Sequence, residues 1–499
     1  MKPIDERLLE DAVAYIDRWV EYRRRTLRLP GIVIAVRFSD RILLSRAHGI
    51  ADIGRGVPLR TDHVFRIASH SKTFTATAVM QLVERGALRL DDRAGDRLSW
   101  LPSGPGQIGR VTVRQLLSHS AGVIRDGVEG GFWELERDFP HEAELRDALA
   151  GTPPVLPENQ QFKYSNFGYG LLGLLIEDAS GEPFNTYVRR HIVDRLGLSS
   201  TGPDIDDLAR ERLATGYSLD HNGLDRLPFE HLETHALSPA AGFYSTAEDL
   251  CRYGAAHFLG NEELLTDESK REMQREHWRI EGAPMSYGLG FDLLTIGERR
   301  LIGHGGGFPG FITNTKIDPK DRLVLVALTN AAGGPAAELT SGMAGIINRA
   351  LEAEPLRVDA ADLDRFTGRY WAIGGATEVV RFGGQLLGLY PESPNPLEPT
   401  VELTVEGPDE LRIAKAPGFA SPGERVRFAF GPDGRVERVQ WAAASTYPWA
   451  RFEAEVLRTL REQGRGPRRE RLPPAAGKPA QPDDRPVQRP ASPRRGRAE

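Results

Sequence analysis

The chain has 499 residues, more than one hydrophobic core ordinarily organises, so two or three domains are expected. With 40% hydrophobic residues, 27% charged residues and a formal net charge of −6, the composition is that of an ordinary globular protein. It carries no positive excess that would point to nucleic acid and no apolar run of about 20 residues that would span a membrane.

In chain order, charges interrupt every apolar patch of residues 1–31, so the continuous apolar stretch of a signal peptide is not expected there. Leu8, Leu9, Val13, Ile16 and Val20 recur at helical spacing and predict an amphipathic helix. Residues 32–38 and 42–47 are β-prone runs separated by Ser39-Asp40-Arg41, which predicts a hairpin. Residues 69–85 have helical periodicity. Residues 101–204 read as short helices broken by Gly and Pro, with one firm helix over 169–179.

The single cysteine, Cys251, excludes an intrachain disulfide and a multi-cysteine zinc site, and it favours a cytoplasmic location. It falls in a helical stretch, where its plainest role is that of a small buried hydrophobe. Strands are predicted over 311–317 and 323–328, followed by a helix over 336–351. Strands at both ends with helices between imply one sheet assembled from distant segments and carrying an inserted helical lobe.

From residue 355 the pattern changes to short alternating strands over 367–370, 378–382, 386–390, 401–405, 424–430 and 436–441. Turns such as Asp433-Gly434 separate them, which suits a small β-barrel or meander. Residues 1–354, 355–455 and 456–499 are therefore read as a main domain, a small lipocalin-like barrel and a Pro/Arg-rich tail. Beyond Gln463 the chain lacks aromatics and nearly lacks large aliphatics, so disorder is expected there.

Three motifs carry candidate chemistry. Ser69-His70-Ser71-Lys72 places a Ser-x-x-Lys pair at a predicted helix start, where residues three apart share a face and the Lys72 amine can approach the Ser69 hydroxyl. A serine is inert at its normal pKa and needs a base; a lysine can serve only if burial or nearby positive charge lowers its own pKa. Tyr164-Ser165-Asn166 is the chain's one Tyr-x-Asn, with Tyr164 suited to shuttle a proton and Asn166 to hydrogen-bond Lys72 and the substrate, or alternatively to pack and to cap a helix.

His304-Gly305-Gly306-Gly307 opens the third cluster, and residues 305–310 formally match G-x-G-x-x-G. A β-prone run follows instead of a helix, which argues against a dinucleotide loop and for a strand edge free of side chains. His221-Asn222-Gly223 repeats the His-x-Gly pattern but reads as a hairpin tip.

Together and in this order, the motifs resemble the serine β-lactamase and penicillin-binding superfamily, and within it the class C-like branch of esterases and D-amino-acid peptidases. The resemblance covers residues 5–352. It implies an α/β fold, a β-lactamase/DD-peptidase-like antiparallel sheet flanked by helices with an all-helical lobe, and a small β-barrel is appended. It also implies Ser69 as nucleophile, Lys72 and Tyr164 as its proton-handling partners and Asn166 as a substrate-binding residue. His304 stands where the lysine of Lys-Thr-Gly would be, Gly305 and Gly306 lie along the binding strand, and the Gly307 and Ser69 amides are the oxyanion donors. The segments 114–122 and 240–250 are similar to family segments and are read as scaffold, His119 included.

The expected chemistry is acyl transfer through a Ser69 acyl-enzyme on a small ester, amide or D-amino-acid peptide, without metal or organic cofactor and without nucleic-acid or membrane partners. An esterase or D-aminoacyl peptidase ranks ahead of a β-lactamase or DD-carboxypeptidase. The rival of another class is a non-catalytic binding protein on the same fold. Homo-oligomerisation stays open. An unperturbed His304 would titrate near pH 6.5 and hold anionic substrates better at pH 6 than at pH 8.

Overall fold

The computed structural model describes residues 4–464 apart from 221–224, 231 and 357–358. The His221-Asn222-Gly223 turn therefore lies outside the described residues. The first helix runs Glu6–Thr26, capped by the Asp5 side chain on the Arg7 amide, and all five apolar positions that predicted it are buried. The strands Gly31–Phe38 and Arg41–Asp52 form the expected hairpin.

Strand Gly31–Phe38 pairs on its other side with Leu323–Thr329, Val33 facing Leu328, so segments some 290 residues apart lie side by side. From there the sheet continues through Phe311–Asp318, Arg299–Phe308, Asp292–Ile296 and Met285–Tyr287 to Trp278–Arg279, and at the other edge Val57–Pro58 pairs with Arg41–Asp52, every pairing antiparallel, for nine strands among the described residues. The central strand reads Leu-Val-Leu-Val-Ala-Leu-Thr and is buried on both faces. Its alternate residues serve two different cores, as the two-residue period of a strand requires.

Val324, Val326 and Leu328 join the larger core with the helices Ser71–Glu84, Asn166–Ser180 and Ala247–Ala255. Leu323, Leu325 and Ala327 join a second core with the first helix and the helix Ala336–Leu351. Cys251 lies buried in the larger core, as its helical context suggested.

After residue 366 eight strands follow one another as an antiparallel meander: Gly368–Ala372, Gly375–Phe382, Gln385–Leu389, Val401–Gly407, Glu410–Lys415, Arg425–Phe430, Val436–Trp441 and Ala444–Thr446. The first and last are joined by a bridge between Trp371 and Tyr447, with N–H···O bonds of 2.7 and 2.9 Å, so the sheet curls into a nearly closed barrel. Two of these strands, Glu410–Lys415 and Ala444–Thr446, were not expected from the sequence. Residues 452–462 are helical, with Phe452 buried. Beyond 464 the expected disordered tail lies outside the described residues.

No helix among the described residues is long and apolar enough to cross a membrane. The fold is thus the β-lactamase-like α/β architecture with an appended small barrel.

Candidate active site

A short 3-10 turn, Ala68–His70, leads directly into the helix Ser71–Glu84, and Ala68 takes the strained φ of +45° to make that entry. Ser69 sits on this turn and remains partly accessible. One helical turn on, Lys72 is fully buried, its Nζ 3.3 Å from Ser69 Oγ, 2.7 Å from Asn166 Oδ1 and 2.8 Å from the Ala240 carbonyl oxygen. Burial drives the Lys72 pKa well below that of a free lysine; Arg125 pushes the same way and Asp126 opposes it.

These contacts suit a neutral amine. Asn166 Oδ1 and the Ala240 carbonyl accept only, so they use both N–H bonds of an NH2 group and leave its lone pair to receive the Ser69 hydroxyl proton. The Asn166 amide is held in this sense because its Nδ2 donates to Asp126 Oδ1 at 2.6 Å. The same carboxylate oxygen accepts from Trp133 Nε1 at 2.8 Å. Ser165 caps the helix Asn166–Ser180, its Oγ accepting from the Gly168 amide at 2.8 Å, which places Asn166 at the helix start facing Lys72. Asn166 is thus the first residue of that helix rather than its cap.

Tyr164 hydrogen-bonds Ser69 and its pKa is raised by burial, so it holds its proton. Lys72 Nζ lies 4.6 Å from the centre of the Tyr164 ring, and His119 packs against the ring at 4.3 Å. His119 was expected to be a satisfied structural histidine. Its Nδ1 accepts from the Ser165 amide at 3.1 Å, but the buried Nε2 has no hydrogen-bond partner. The imidazole packs against the rings of Phe162, Tyr164, Tyr169 and Tyr287, so His119 sets the position of Tyr164 through packing.

The strand Arg299–Phe308 forms the other wall. A Cβ on Gly306 would lie 2.1 Å from the Ile67 carbonyl oxygen and 2.6 Å from Thr313 Oγ1, so only glycine lets this strand approach the turn that carries Ser69. Gly305 and Gly307 alternate to the open side: Gly307 is exposed, and a Cβ there would meet nothing nearer than Ile312 Cδ1 at 3.6 Å.

His304 departs from expectation. It is buried, its Nδ1 donating to the Gly305 carbonyl at 2.6 Å and its Nε2 accepting from the Tyr287 hydroxyl at 2.9 Å. Burial, with Lys72 adding to it, drops its pKa to about 3. The imidazole is therefore neutral at both pH 6 and pH 8, and the expected change in anion capture between them is corrected accordingly.

The structure thus brings Ser69, Lys72, Tyr164, Asn166, His304 and Gly305 to Gly307 into one cleft. It adds Arg125, Asp126, Tyr287 and the Ala240 carbonyl, which sequence reasoning did not assign. Backbone groups leave no mark on residue type, and Asp126 belongs to no motif, so no local signal could have found them. Among the described residues no cluster of three or more His, Cys, Asp or Glu is placed to hold a metal ion.

Comparison with known proteins agrees with the fold. The chain is 31% identical over 316 residues to penicillin-binding protein 4* of Bacillus subtilis strain 168, covering 60% of this chain and 68% of that protein. Among solved structures it is similar to the octameric penicillin-binding protein homologue from Pyrococcus abyssi, at a TM-score of 0.61 and 21% identity over 87% of this chain and 99% of the other. It is also similar to SurE, solved with D-Leu, at a TM-score of 0.56 and 25% identity over 88% and 99%. The beta-lactamase family profile matches residues 16–344, about two thirds of the chain, and with the architecture described above this makes the chain a member of the beta-lactamase family.

Proposed function

We propose that the chain is a serine hydrolase that forms an acyl-enzyme on Ser69 and acts on ester or D-aminoacyl amide bonds. The observation that carries this reading is the buried Lys72, its pKa lowered by that burial, within 3.3 Å of Ser69 Oγ and hydrogen-bonded to two further acceptors. Lys72 takes the Ser69 proton as Oγ attacks the carbonyl carbon. Tyr164, whose pKa lies above that of a free tyrosine, keeps its proton for the leaving group and is resupplied from Lys72. The Ser69 and Gly307 amides receive the developing oxyanion, and the Asn166 side chain orients the acyl group. Water then attacks the acyl-enzyme with Lys72 and Tyr164 in the reverse roles, releasing acid and free enzyme.

A D-amino-acid substrate class is supported by the likeness to SurE, which was solved with D-Leu. The open Gly305-Gly306-Gly307 edge suits a substrate whose own amide runs along a strand.

The test is mass spectrometry after exposure to a fluorophosphonate. A single adduct on the peptide containing Ser69 is expected, with loss of p-nitrophenyl acetate hydrolysis in both Ser69→Ala and Lys72→Ala by at least the roughly 10²–10⁴-fold ascribed to acid–base catalysis. Retention of the adduct in folded Ser69→Ala would show that the nucleophile is another residue.

A further inference from the structure

Both oxyanion donors of the proposed mechanism are backbone amides, so neither Ser69 nor Gly307 can set their separation with its own side chain. His70, which follows Ser69 directly, carries a side chain suited to that task. It is buried, and its ring bridges the turn that bears Ser69 and the strand Phe311–Asp318. Nδ1 lies 2.9 Å from the Ile67 carbonyl oxygen and 3.3 Å from Thr313 Oγ1, and Nε2 lies 3.0 Å from Thr315 Oγ1.

The chemistry of these partners fixes the proton. A carbonyl oxygen only accepts, so Nδ1 carries the hydrogen and donates it to Ile67, with Thr313 Oγ1 as a second, longer acceptor. Nε2 is left with a lone pair and accepts from the Thr315 hydroxyl. Burial, with His304 adding to it, drops the His70 pKa to about 4, so the ring keeps this neutral form near neutral pH.

Thr313 and Thr315 stand opposite Gly306 and His304 in the strand pair. The Ile67 carbonyl oxygen and Thr313 Oγ1, both bound by Nδ1, are also the two atoms that a Cβ on Gly306 would strike. His70 therefore ties the turn to the sheet at the place where the glycine strand comes closest to it. Toward the helical lobe the turn is held by other groups, the Ile67 amide donating to the Phe243 carbonyl at 2.9 Å and Ser71 Oγ accepting from the Phe243 amide at 3.0 Å.

We propose that His70 is a positioning residue for the oxyanion hole, its bridge to Thr315 holding the Ser69 and Gly307 amides at the spacing that a tetrahedral intermediate requires. The inference rests on the Ser69 reading above and deepens it by naming what aligns the two donors. Acylation and deacylation both pass through an oxyanion, so loss of the bridge slows both steps and lowers kcat, with KM near that of the parent.

The experiment measures p-nitrophenyl acetate hydrolysis in four single variants, with kcat expressed per Ser69 that fluorophosphonate labels, which removes any loss due to misfolded protein. The end of a glutamine side chain reaches the place of Nε2 and can accept from Thr315, whereas that of asparagine stops at the place of Nδ1 and serves Ile67 alone. His70→Asn and Thr315→Val are each expected to lower kcat per labelled site by about 10–100-fold, as misplacement of a catalytic group implies. His70→Gln and Thr315→Ser should recover most of that loss. The double variant of His70→Asn with Thr315→Val should be no slower than the slower single one, because one bond is lost in all three. A parent-like kcat per labelled site in His70→Asn or Thr315→Val overturns the proposal, as does a loss carried by KM or an equal loss in His70→Gln and His70→Asn. Should the His70 variants not fold, Thr315→Val, which exchanges one hydroxyl for a methyl, decides alone. Failure of the Ser69 reading shows separately, as absence of the fluorophosphonate adduct from the parent, and overturns this proposal with it.

Discussion

Lys72 and Asp126 are linked through one side chain, and that link makes the pH dependence of the site a test of which residue is the base. Asp126 favours the ammonium form of Lys72, whereas burial disfavours it more strongly. A base must be unprotonated to act, so kcat/KM rises with pH through the Lys72 pKa. In Asp126→Asn the amide oxygen can still accept from Asn166 Nδ2, but the negative charge is gone and the ammonium loses its one favourable neighbour. The Lys72 pKa falls further, and the acid limb of the kcat/KM profile moves to lower pH. His304 provides the control. With its pKa at about 3, it does not titrate between pH 5 and pH 8, so His304→Gln leaves the limb where it was. A limb that moves to higher pH in Asp126→Asn, or that disappears in His304→Gln, would show that Lys72 is not the titrating group. At this scale the sequence offered Ser69, Lys72, Tyr164 and Asn166 as candidates through the order of three motifs and the family resemblance they carry. It could not announce the state of His304, because burial by Tyr287 and the neighbouring strand is a tertiary property with no local pattern.

Among the elements, the glycine strand and the turn bearing Ser69 are held at a separation set by the missing side chain of Gly306. Gly306→Ala forces a Cβ to within 2.1 Å of the Ile67 carbonyl oxygen, a rigid backbone atom, so the strand or the turn must shift. Overpacking of this kind costs about 1–3 kcal/mol, and the displaced parts are those that align nucleophile and acyl group. Thermal melts and ester assays should therefore show a lower Tm together with a loss of activity. Gly307→Ala, with 3.6 Å to its nearest neighbour, should keep the parent Tm. Equal melting temperatures for Gly306→Ala and the parent would mean that the approach of strand to turn is not tightly set. Such long, periodic or glycine-marked elements were legible beforehand. The first helix, the hairpin, the helix Ala336–Leu351 and six of the barrel strands stand close to where periodicity put them. Ala444–Thr446 escaped because three residues without a large apolar side chain leave no alternation to detect, whereas Glu410–Lys415 does alternate, with Leu411 and Ile413 buried in turn with Glu410 and Arg412, over a stretch of only four residues.

Across the whole molecule, the second core crosses the boundary that composition suggests at residue 354. Val380, Phe382, Leu387 and Leu389 of the barrel pack into the same cluster as Tyr15, Ile16 and Trp19 of the first helix and Leu325 of the main sheet. Phe382 is fully buried, its ring 6.1 Å from that of Tyr15 in an edge-on contact. Polar contacts run the same way: Arg381 Nη1 donates to Asp11 Oδ2 at 3.0 Å, and Arg18 pairs with the buried Glu378 at 3.3 Å. Distant sequence segments that share one core lose it together, so the barrel and the main sheet are expected to unfold in a single transition. Phe382→Ala removes a large buried side chain at that seam and should cost about 3–5 kcal/mol. Calorimetry should show one heat-absorption peak for the parent protein and one, at lower temperature, for Phe382→Ala, with ester hydrolysis lost over the same interval in each. Resolution into two peaks, with activity surviving the first, would mean that the barrel melts by itself and that the shared core does not couple it to the site.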